Sequence, residues 1–335
     1  MSATSPLVSI LVPVRNGGTY LSVALRSLLE QTYKNIEIMV VDDHSTDDSL
    51  LRLNWQDRRV HMLSNQGRGI VSALNTAAEH ANGDILARMD ADDIALPMRI
   101  EAQVNLLLAR PDVEITGTKV EIFSDDGDVA GGFRAYADWI NSLTEPEDIA
   151  REIFVESPIP HPSALLWRHT FEQLGGYRES EWPEDYDLWL RAYALGKRMA
   201  KPESILLRWR DRATRLSRTS DRYSCERFLQ AKARFLTDTV LHTRAVQIWG
   251  AGPTGRALCD RLTRYGVDVN GFIDVHPRRI GGNKRGRPVR APDYVRAMGE
   301  EIVLVAVGAR GVRDEIRGFM GTCDKQEGTD YLFVA

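Results

Sequence analysis

Cysteine is scarce: only Cys225, Cys259 and Cys323 occur in 335 residues. They are far apart, odd in number and without Cys-x-x-Cys spacing. That pattern argues against a disulfide framework or a thiolate zinc site and fits a reducing compartment. Long apolar runs are also missing. No stretch approaches the roughly 20 residues that span a bilayer, and Met1 to Pro6 is polar. Nor is there an excess of one charge: the net charge of -4 gives no global footprint for nucleic acid, so any basic surface is local. A cytoplasmic protein is expected, without a nucleic-acid partner, with room for peripheral contact at the inner face of the cell membrane. Its oligomeric state is not encoded in composition. At 335 residues, with 43% hydrophobic and 27% charged, the chain is long enough for two domains that each bury a core.

What the chain does concentrate is acid. The apolar run Asp84-Ile85-Leu86-Ala87 leads into Arg88-Met89-Asp90-Ala91-Asp92-Asp93. Hard divalent ions such as Mn2+ or Mg2+ take oxygen ligands and bridge carboxylates to nucleotide phosphates, so acids at a strand end point to a metal and diphosphate site. The bland alternative is a solvated turn, where Asp is common.

Strand and helix signals alternate through the first half. Strands are expected over Leu7 to Val14, Ile36 to Val41 and Val60 to Leu63, and helices over Tyr20 to Glu30 and Gly69 to Ala81. The acid-bearing strand follows. This order predicts an α/β fold with a largely parallel sheet. Ligands in such sheets collect outside the carboxyl ends of the strands, where Pro13, Asp42, Asp43 and Asp90 to Asp93 fall.

Three blocks carry a family resemblance: SILVPVRNGGTYLSVALRSLLEQTYKNIEIMVVDDHSTDDS, ARMDADDIALPMRIEAQV and PHPSALLWRHTFEQLGGYRESEWPEDYDLWLRA. In order and spacing they resemble family 2 glycosyltransferases of a bacterial polysaccharide-synthesis branch, over roughly the first 220 residues. The resemblance implies a GT-A fold and inverting transfer from a nucleotide diphosphate sugar, of the UDP type, to a saccharide or lipid-linked saccharide acceptor. By it, Pro13, Arg15 and Asp43 line the base pocket, with Asp43 accepting from a uracil-like imide. Capping of the turn at Ser45, Thr46 and Asp47 is the alternative for Asp43. The family often has Gly where this chain has His44. Asp90 and Asp92 are the Asp-x-Asp pair, for ribose and metal respectively, with Asp93 as an alternative ligand. Arg88 either meets diphosphate oxygens or pairs with a neighbouring acid.

Inverting transfer needs one carboxylate within reach of the acceptor hydroxyl. The segment Trp182-Pro183-Glu184-Asp185-Tyr186-Asp187 offers candidates, and the resemblance assigns the base to Asp185, with Glu184 holding the site together by hydrogen bonds. These acids equally suit a helix N-terminus. His161, between Pro160 and Pro162, lines the acceptor crevice or makes a structural bond. Trp182 is a candidate sugar platform or a core residue, and Gly175-Gly176-Tyr177 reads as a helix stop.

Many relatives carry Arg-x-His beyond the base; here Leu207-Arg208-Trp209-Arg210 has Arg in place of that His. Arg cannot ligate a metal but can clamp phosphate, so a weaker metal dependence is expected. The basic run Arg208 to Arg234 reads either as an anionic-lipid contact or as a face with local ion pairs.

A boundary is expected between residues 242 and 243, giving a glycosyltransferase domain over 1–242 and a small Rossmann-like parallel-sheet domain over 243–335. Ala245 to Trp249 reads as a strand, and Gly250-Ala251-Gly252-Pro253-Thr254-Gly255 opens a helix. Asp274 ends the next strand, where the fingerprint places an acid on a ribose. Gly250, Gly252, Gly255 and Asp274 are therefore a second nucleotide-site candidate, with NAD(P) as the implied cofactor. The tail resembles the Rossmann-like domain of sugar acyltransferases and nucleotide-sugar-modifying enzymes. An oxidoreductase or nucleotide-sugar-modifying activity of the tail is the alternative function, although no Tyr-x-x-x-Lys is present.

Overall fold

The computed structural model describes residues 5–53, 57–125, 127, 129, 131–309 and 311–335. Two compact units emerge. The first comprises 1–150, 158–180 and 184–219; the second comprises 151–157, 181–183 and 220–335. The split therefore falls near Ser220, not between 242 and 243.

In the first unit, β1 (Val8–Val14), β2 (Ile36–Asp42), β3 (Val60–Ser64) and β4 (Ile85–Arg88) run parallel in the order β3-β2-β1-β4. Helices α1 (Tyr20–Leu29) and α2 (Gly69–His80) connect them. The central strands read as continuous apolar runs because both faces are covered: Val8, Ile10, Leu11 and Val12 of β1 are all buried. The stretch between β4 and α3 (Arg99–Ala109) contributes the two-residue β5 (Ile94–Ala95).

Beyond α3 the pattern becomes mixed. Strands β6 (Val113–Thr116), β7 (Lys119–Phe123), β8 (Leu165–Trp167), β9 (Arg198–Ala200) and β10 (Ile205–Arg210) follow, with helices α4 (Gly131–Ser142), α5 (Pro146–Glu152), α6 (Arg168–Gln173), α7 (Glu184–Ala194) and α8 (Leu216–Thr219). Antiparallel β8 inserts between β4 and β6, and β9 completes a seven-stranded sheet. A separate three-stranded sheet has the order β5-β10-β7, which ties the segment just after the acids to β10.

The second unit holds α9 (Cys225–Leu236), β11 (Val246–Trp249), α10 (Pro253–Arg264), β12 (Val269–Ile273), β13 (Asn283–Lys284), β14 (Arg287–Arg290), β15 (Ile302–Val305), α11 (Val312–Gly321) and β16 (Tyr331–Phe333). Its sheet order is β13-β14-β12-β11-β15-β16, all parallel except β13. Residues 151–157 join it through charge: Glu152 meets Arg313 at 3.2 Å and Arg317 at 2.5 Å. The buried Lys232 ammonium of α9 donates to the Val155 and Val334 carbonyls at 2.6 and 3.2 Å. These long-range bonds draw α9 into the second unit and move the boundary upstream.

The basic run is largely paired. Arg208 meets Glu121, Arg218 meets Asp211, Arg227 meets Glu181 and Asp221, and Arg234 meets Asp238. This favours the reading of local ion pairs. Among the described residues no helix is long and apolar enough to cross a membrane.

Candidate active site

Parallel pairing brings the ends of β1, β2 and β4 to one edge: Val14 lies opposite Asp42, and Leu11 opposite Arg88. Pro13 is half-buried there and Arg15 is exposed. The loops leaving β1 and β2 are laced together, since the Asn16 side-chain oxygen accepts from the Thr46 N–H at 2.8 Å and Asp47 accepts from the Gly18 N–H at 2.9 Å. His44 adopts φ +57°, the left-handed conformation that glycine takes at no steric cost, and its Nε2 lies 2.8 Å from the Gly67 carbonyl. The histidine thus keeps the loop shape that a glycine would give.

Asp43 is buried, and the cap of the turn at Ser45 falls to its neighbour. The turn at Ser45 is capped by Asp42, which accepts from the Ser45 N–H at 2.9 Å. Asp43 instead accepts from Asn65 Nδ2 at 2.7 Å and from the Gly69 N–H at 2.9 and 3.0 Å, at the start of α2.

At the end of β4, Asp90, Asp92 and Asp93 each offer a carboxylate oxygen within 4.8 Å of the others. Their environments differ. Asp90 binds Arg88 Nη2 at 2.6 Å; burial, which pushes its carboxyl up, is outweighed by Arg88, which holds it below the usual range. Asp92 binds Arg212 Nη2 at 2.7 Å, yet burial and the Asp90 charge keep its carboxyl raised. Asp93 is 1% exposed and accepts from the Arg210 N–H at 2.8 Å through Oδ1. Its Oδ2 is buried without a hydrogen-bond partner, and burial together with Asp90 and Asp92 pushes its carboxyl well up. Three hard oxygen donors, one of them orphaned in the interior, fit a divalent cation.

Arg99 underlies this cluster. Fully buried on α3, it donates to the Arg88 carbonyl at 2.7 Å, and burial lowers its guanidinium to about 9. It fixes the backbone from which the acids project. Arg88 itself is 3% exposed, and its Nε and Nη1 lack partners.

A second group meets the first. His161 Nε2 lies 2.9 Å from the Tyr177 hydroxyl and its Nδ1 lies 3.5 Å from Glu184 Oε1, all three residues being buried. With Nδ1 facing a carboxylate, the consistent neutral tautomer carries its proton on Nδ1 and accepts from Tyr177 at Nε2. Burial, then Arg88, lower the imidazole; Glu184 and Asp90 oppose them. Burial raises the Tyr177 hydroxyl, with Arg88, Glu184 and Asp185 all acting on it. These mutual fields place Arg88, Asp90, His161, Tyr177, Glu184 and Asp185 in one neighbourhood, although the sequence separates them by up to 97 positions (88 to 185).

Asp185 is half-buried in the first turn of α7, where its Oδ1 accepts from the Tyr186 N–H at 2.7 Å. Asp187 on the same turn binds Arg191 at 2.7 Å, and Arg191 donates to the Gly176 carbonyl at 2.9 Å. Gly175 and Gly176 take φ +75° and +66°, so the expected helix stop is present. Tyr177, read from sequence as part of that stop, also supplies the hydroxyl facing His161.

Arg210, the replacement for the family His, does not aim at the acid carboxylates. Its Nε donates to the Asp92 carbonyl at 2.7 Å, it pairs with Asp125, and its guanidinium lies 4.4 Å from the ring centroids of both Tyr20 and Phe123. Arg212, two residues on, is the arginine of this stretch that pairs with an acid of the cluster, as Arg88 does from β4.

The remaining candidates belong to the second unit. Trp182 stands edge-on to Phe235, with ring centroids 6.5 Å apart. A Cβ on Gly255 would meet the Gly250 carbonyl oxygen at 1.9 Å, which explains the glycine, whereas Gly252 faces open space. Asp274 accepts from the Ala251 and His276 N–H groups at 2.8 Å each and binds Arg279 at 3.0 Å. Burial, which would raise its carboxyl, is outweighed by these donors. The acid expected on a ribose therefore closes the glycine loop on itself, and NAD(P) gains no support.

Comparison with known proteins agrees with this architecture. The family model described as Glycosyl transferase family 2 matches residues 9–175. The putative glycosyltransferase EpsE of Bacillus subtilis (strain 168) is 30% identical over 231 residues, covering 67% of this chain and 80% of that protein. The O-antigen biosynthesis glycosyltransferase WbnJ of Escherichia coli is 27% identical over 191 residues, covering 55% of this chain and 71% of its own. Among solved structures, S. aureus TarS 1-349 in complex with UDP-GlcNAc superposes with a TM-score of 0.57 at 17% identity, over 77% of this chain and 72% of that one. The α/β first unit is thus of the GT-A type, and the chain belongs to glycosyl transferase family 2.

Proposed function

We propose that this glycosyltransferase moves a sugar, with inversion, from a nucleotide diphosphate sugar to a saccharide or lipid-linked saccharide acceptor in cell-surface polysaccharide synthesis. The observation that carries the reading is the convergence of the acid cluster at the end of β4 with the network of His161, Tyr177, Glu184 and Asp185. The relative named for O-antigen biosynthesis supports the acceptor class.

In this reading Pro13 and Arg15 flank the nucleotide base, and Asp43, fixed by Asn65 and Gly69, accepts from a pyrimidine imide, which favours UDP. Asp90, Asp92 and Asp93 would hold a divalent cation, which when bound supplies positive charge to the leaving diphosphate. Arg88 brings two further N–H groups with no protein partner. The Asp185 carboxylate takes the proton of the acceptor hydroxyl. The oxygen forms its bond to the anomeric carbon as the bond from that carbon to the diphosphate oxygen breaks, and the electron pair leaves with the diphosphate. Glu184 orients His161, which burial and Arg88 keep neutral, and His161 with Tyr177 lines the site beside the base. Work at the inner face of the membrane, held peripherally, suits a lipid-linked acceptor.

The test is a thermal-shift panel of UDP, GDP, TDP and NAD on the full chain, each with and without Mn2+. Stabilisation by one nucleoside diphosphate that requires Mn2+ is expected. Stabilisation by NAD alone would move the chemistry to the second unit and reject the proposal.

A further inference from the structure

Deepening the proposed donor site, we infer that Arg212 is a resident counter-cation of the acid cluster. It gives up Asp92 when a divalent cation binds and transfers its guanidinium to the diphosphate of the donor. This inference rests on the reading of the cluster as a cation site, for which the buried, unpartnered Asp93 Oδ2 is the independent sign.

Three observations lead to it. First, Arg212 holds the carboxylate of an acid that a cation would claim: its Nη2 is 2.7 Å from Asp92 Oδ2, and a carboxylate engaged by a guanidinium is a poorer ligand until that guanidinium leaves. Second, its neighbours are differently committed. Arg210 holds the cluster through main-chain groups, by its N–H to Asp93 and its Nε to the Asp92 carbonyl. Arg215 lies on the Phe133 and Trp209 rings, at 4.6 and 4.5 Å from their centroids. Arg212 is the one of the three whose ion pair is with a carboxylate of the cluster, and its ion-pair partner is the residue the metal would claim. Third, its hold is exchangeable. The side chain is 32% exposed, its Nε has no partner, and its guanidinium lies 5.0 Å from the Tyr20 centroid, looser than the 4.4 Å of Arg210 on the same ring.

The exchange balances charge without a bond being made or broken. The cation neutralises Asp92, and the released guanidinium, whose fork matches phosphate oxygens, neutralises the incoming diphosphate. Arg212 therefore opposes metal alone and favours nucleotide with metal. A purely structural arginine would not produce effects of opposite sign.

Mn2+ binding by the full chain, read by electron paramagnetic resonance of the free ion, and UDP binding at saturating Mn2+, read by calorimetry, test the inference. Arg212→Gln is expected to bind Mn2+ about tenfold more tightly than the wild type and UDP about tenfold more weakly, each step corresponding to loss of one close charge interaction. Mn2+ affinity unchanged or reduced, or UDP affinity undiminished, overturns it. If Arg212→Gln does not fold, Arg212→Lys decides: a point charge holds Asp92 less well than a fork, so a smaller Mn2+ gain of the same sign is expected, and no gain overturns the inference. Asp92→Asn separates the two readings. Mn2+-dependent UDP binding that is present in the wild type and lost in Asp92→Asn, with no Arg212 effect, rejects this inference and leaves the donor site standing. Absence of Mn2+ binding in wild type and Arg212→Gln alike rejects both.

Discussion

Two acids, Asp93 and Asp274, each follow the carboxyl end of a parallel strand, β4 in the first unit and β12 in the second, and they have opposite surroundings. Asp93 keeps one buried oxygen without a partner, and burial together with the neighbouring acids raises its carboxyl. Asp274 has two N–H donors and an arginine, and they lower it. Burying an unmatched acid costs stability, and such a cost persists where a ligand relieves it. Burying a matched one holds a loop. A position beyond a parallel strand is shared; the unfinished hydrogen bonding separates a ligand site from a brace.

The comparison can be broken most forcefully at Asp93. Asparagine there keeps an acceptor for the Arg210 N–H but removes the charge, so Asp93→Asn should weaken Mn2+-dependent UDP binding by at least about tenfold. Unaltered affinity in a calorimetric titration would show that the orphaned oxygen is not a ligand. Asp185→Asn sharpens the division between binding and chemistry. Turnover should fall by about 10²–10⁴ with UDP affinity retained, as for loss of a general base; near-normal turnover with the true acceptor would remove that assignment.

On the other side of the comparison, Asp274→Ala leaves the Ala251 and His276 N–H groups unpaired. It should destabilise the protein by about 1–3 kcal/mol without altering UDP affinity at saturating Mn2+. A nucleotide-affinity change without a stability change would make Asp274 a ligand after all. The smallest effect is expected at His161. Its folded-state value is depressed, so between that value and the ordinary 6.5 the unfolded chain binds the extra proton. Stability then rises with pH through this window and is lost as pH falls below about 6.5. His161→Gln should flatten the fall in Tm between pH 7 and pH 5; an identical slope would mean that the imidazole is not the group titrating.

Much of this was readable in the chain. β1 and β2 match their expected bounds within one residue, because a parallel strand covered on both faces writes itself as a continuous apolar run. The acid cluster was equally plain, since its members are sequence neighbours. The short strands β5, β8, β9 and β13 carry two or three residues each, too few for any period to register. Tyr177 and Asn65 act through partners 16 and 22 positions away and leave no local mark. Arg99 did leave one: it stands at i, i+4 and i+8 with Gln103 and Leu107, all on the buried face of α3, where an arginine asks for an explanation. The boundary of the second unit was hidden for a different reason. Composition does not change at residues 151–157, and what assigns them is a set of ion pairs formed far along the chain.

Those ion pairs set a timetable. Glu152 emerges from the ribosome 161 and 165 residues before Arg313 and Arg317, and the Val155 carbonyl waits 77 residues for Lys232. During that interval a segment lying between parts of the first unit is synthesised but lacks the partners that define its place. The Lys232 contact is complete only when Val334 delivers its carbonyl. A chain stopped after residue 242 would strand Lys232 and Glu152 without their distal partners, Val334, Arg313 and Arg317.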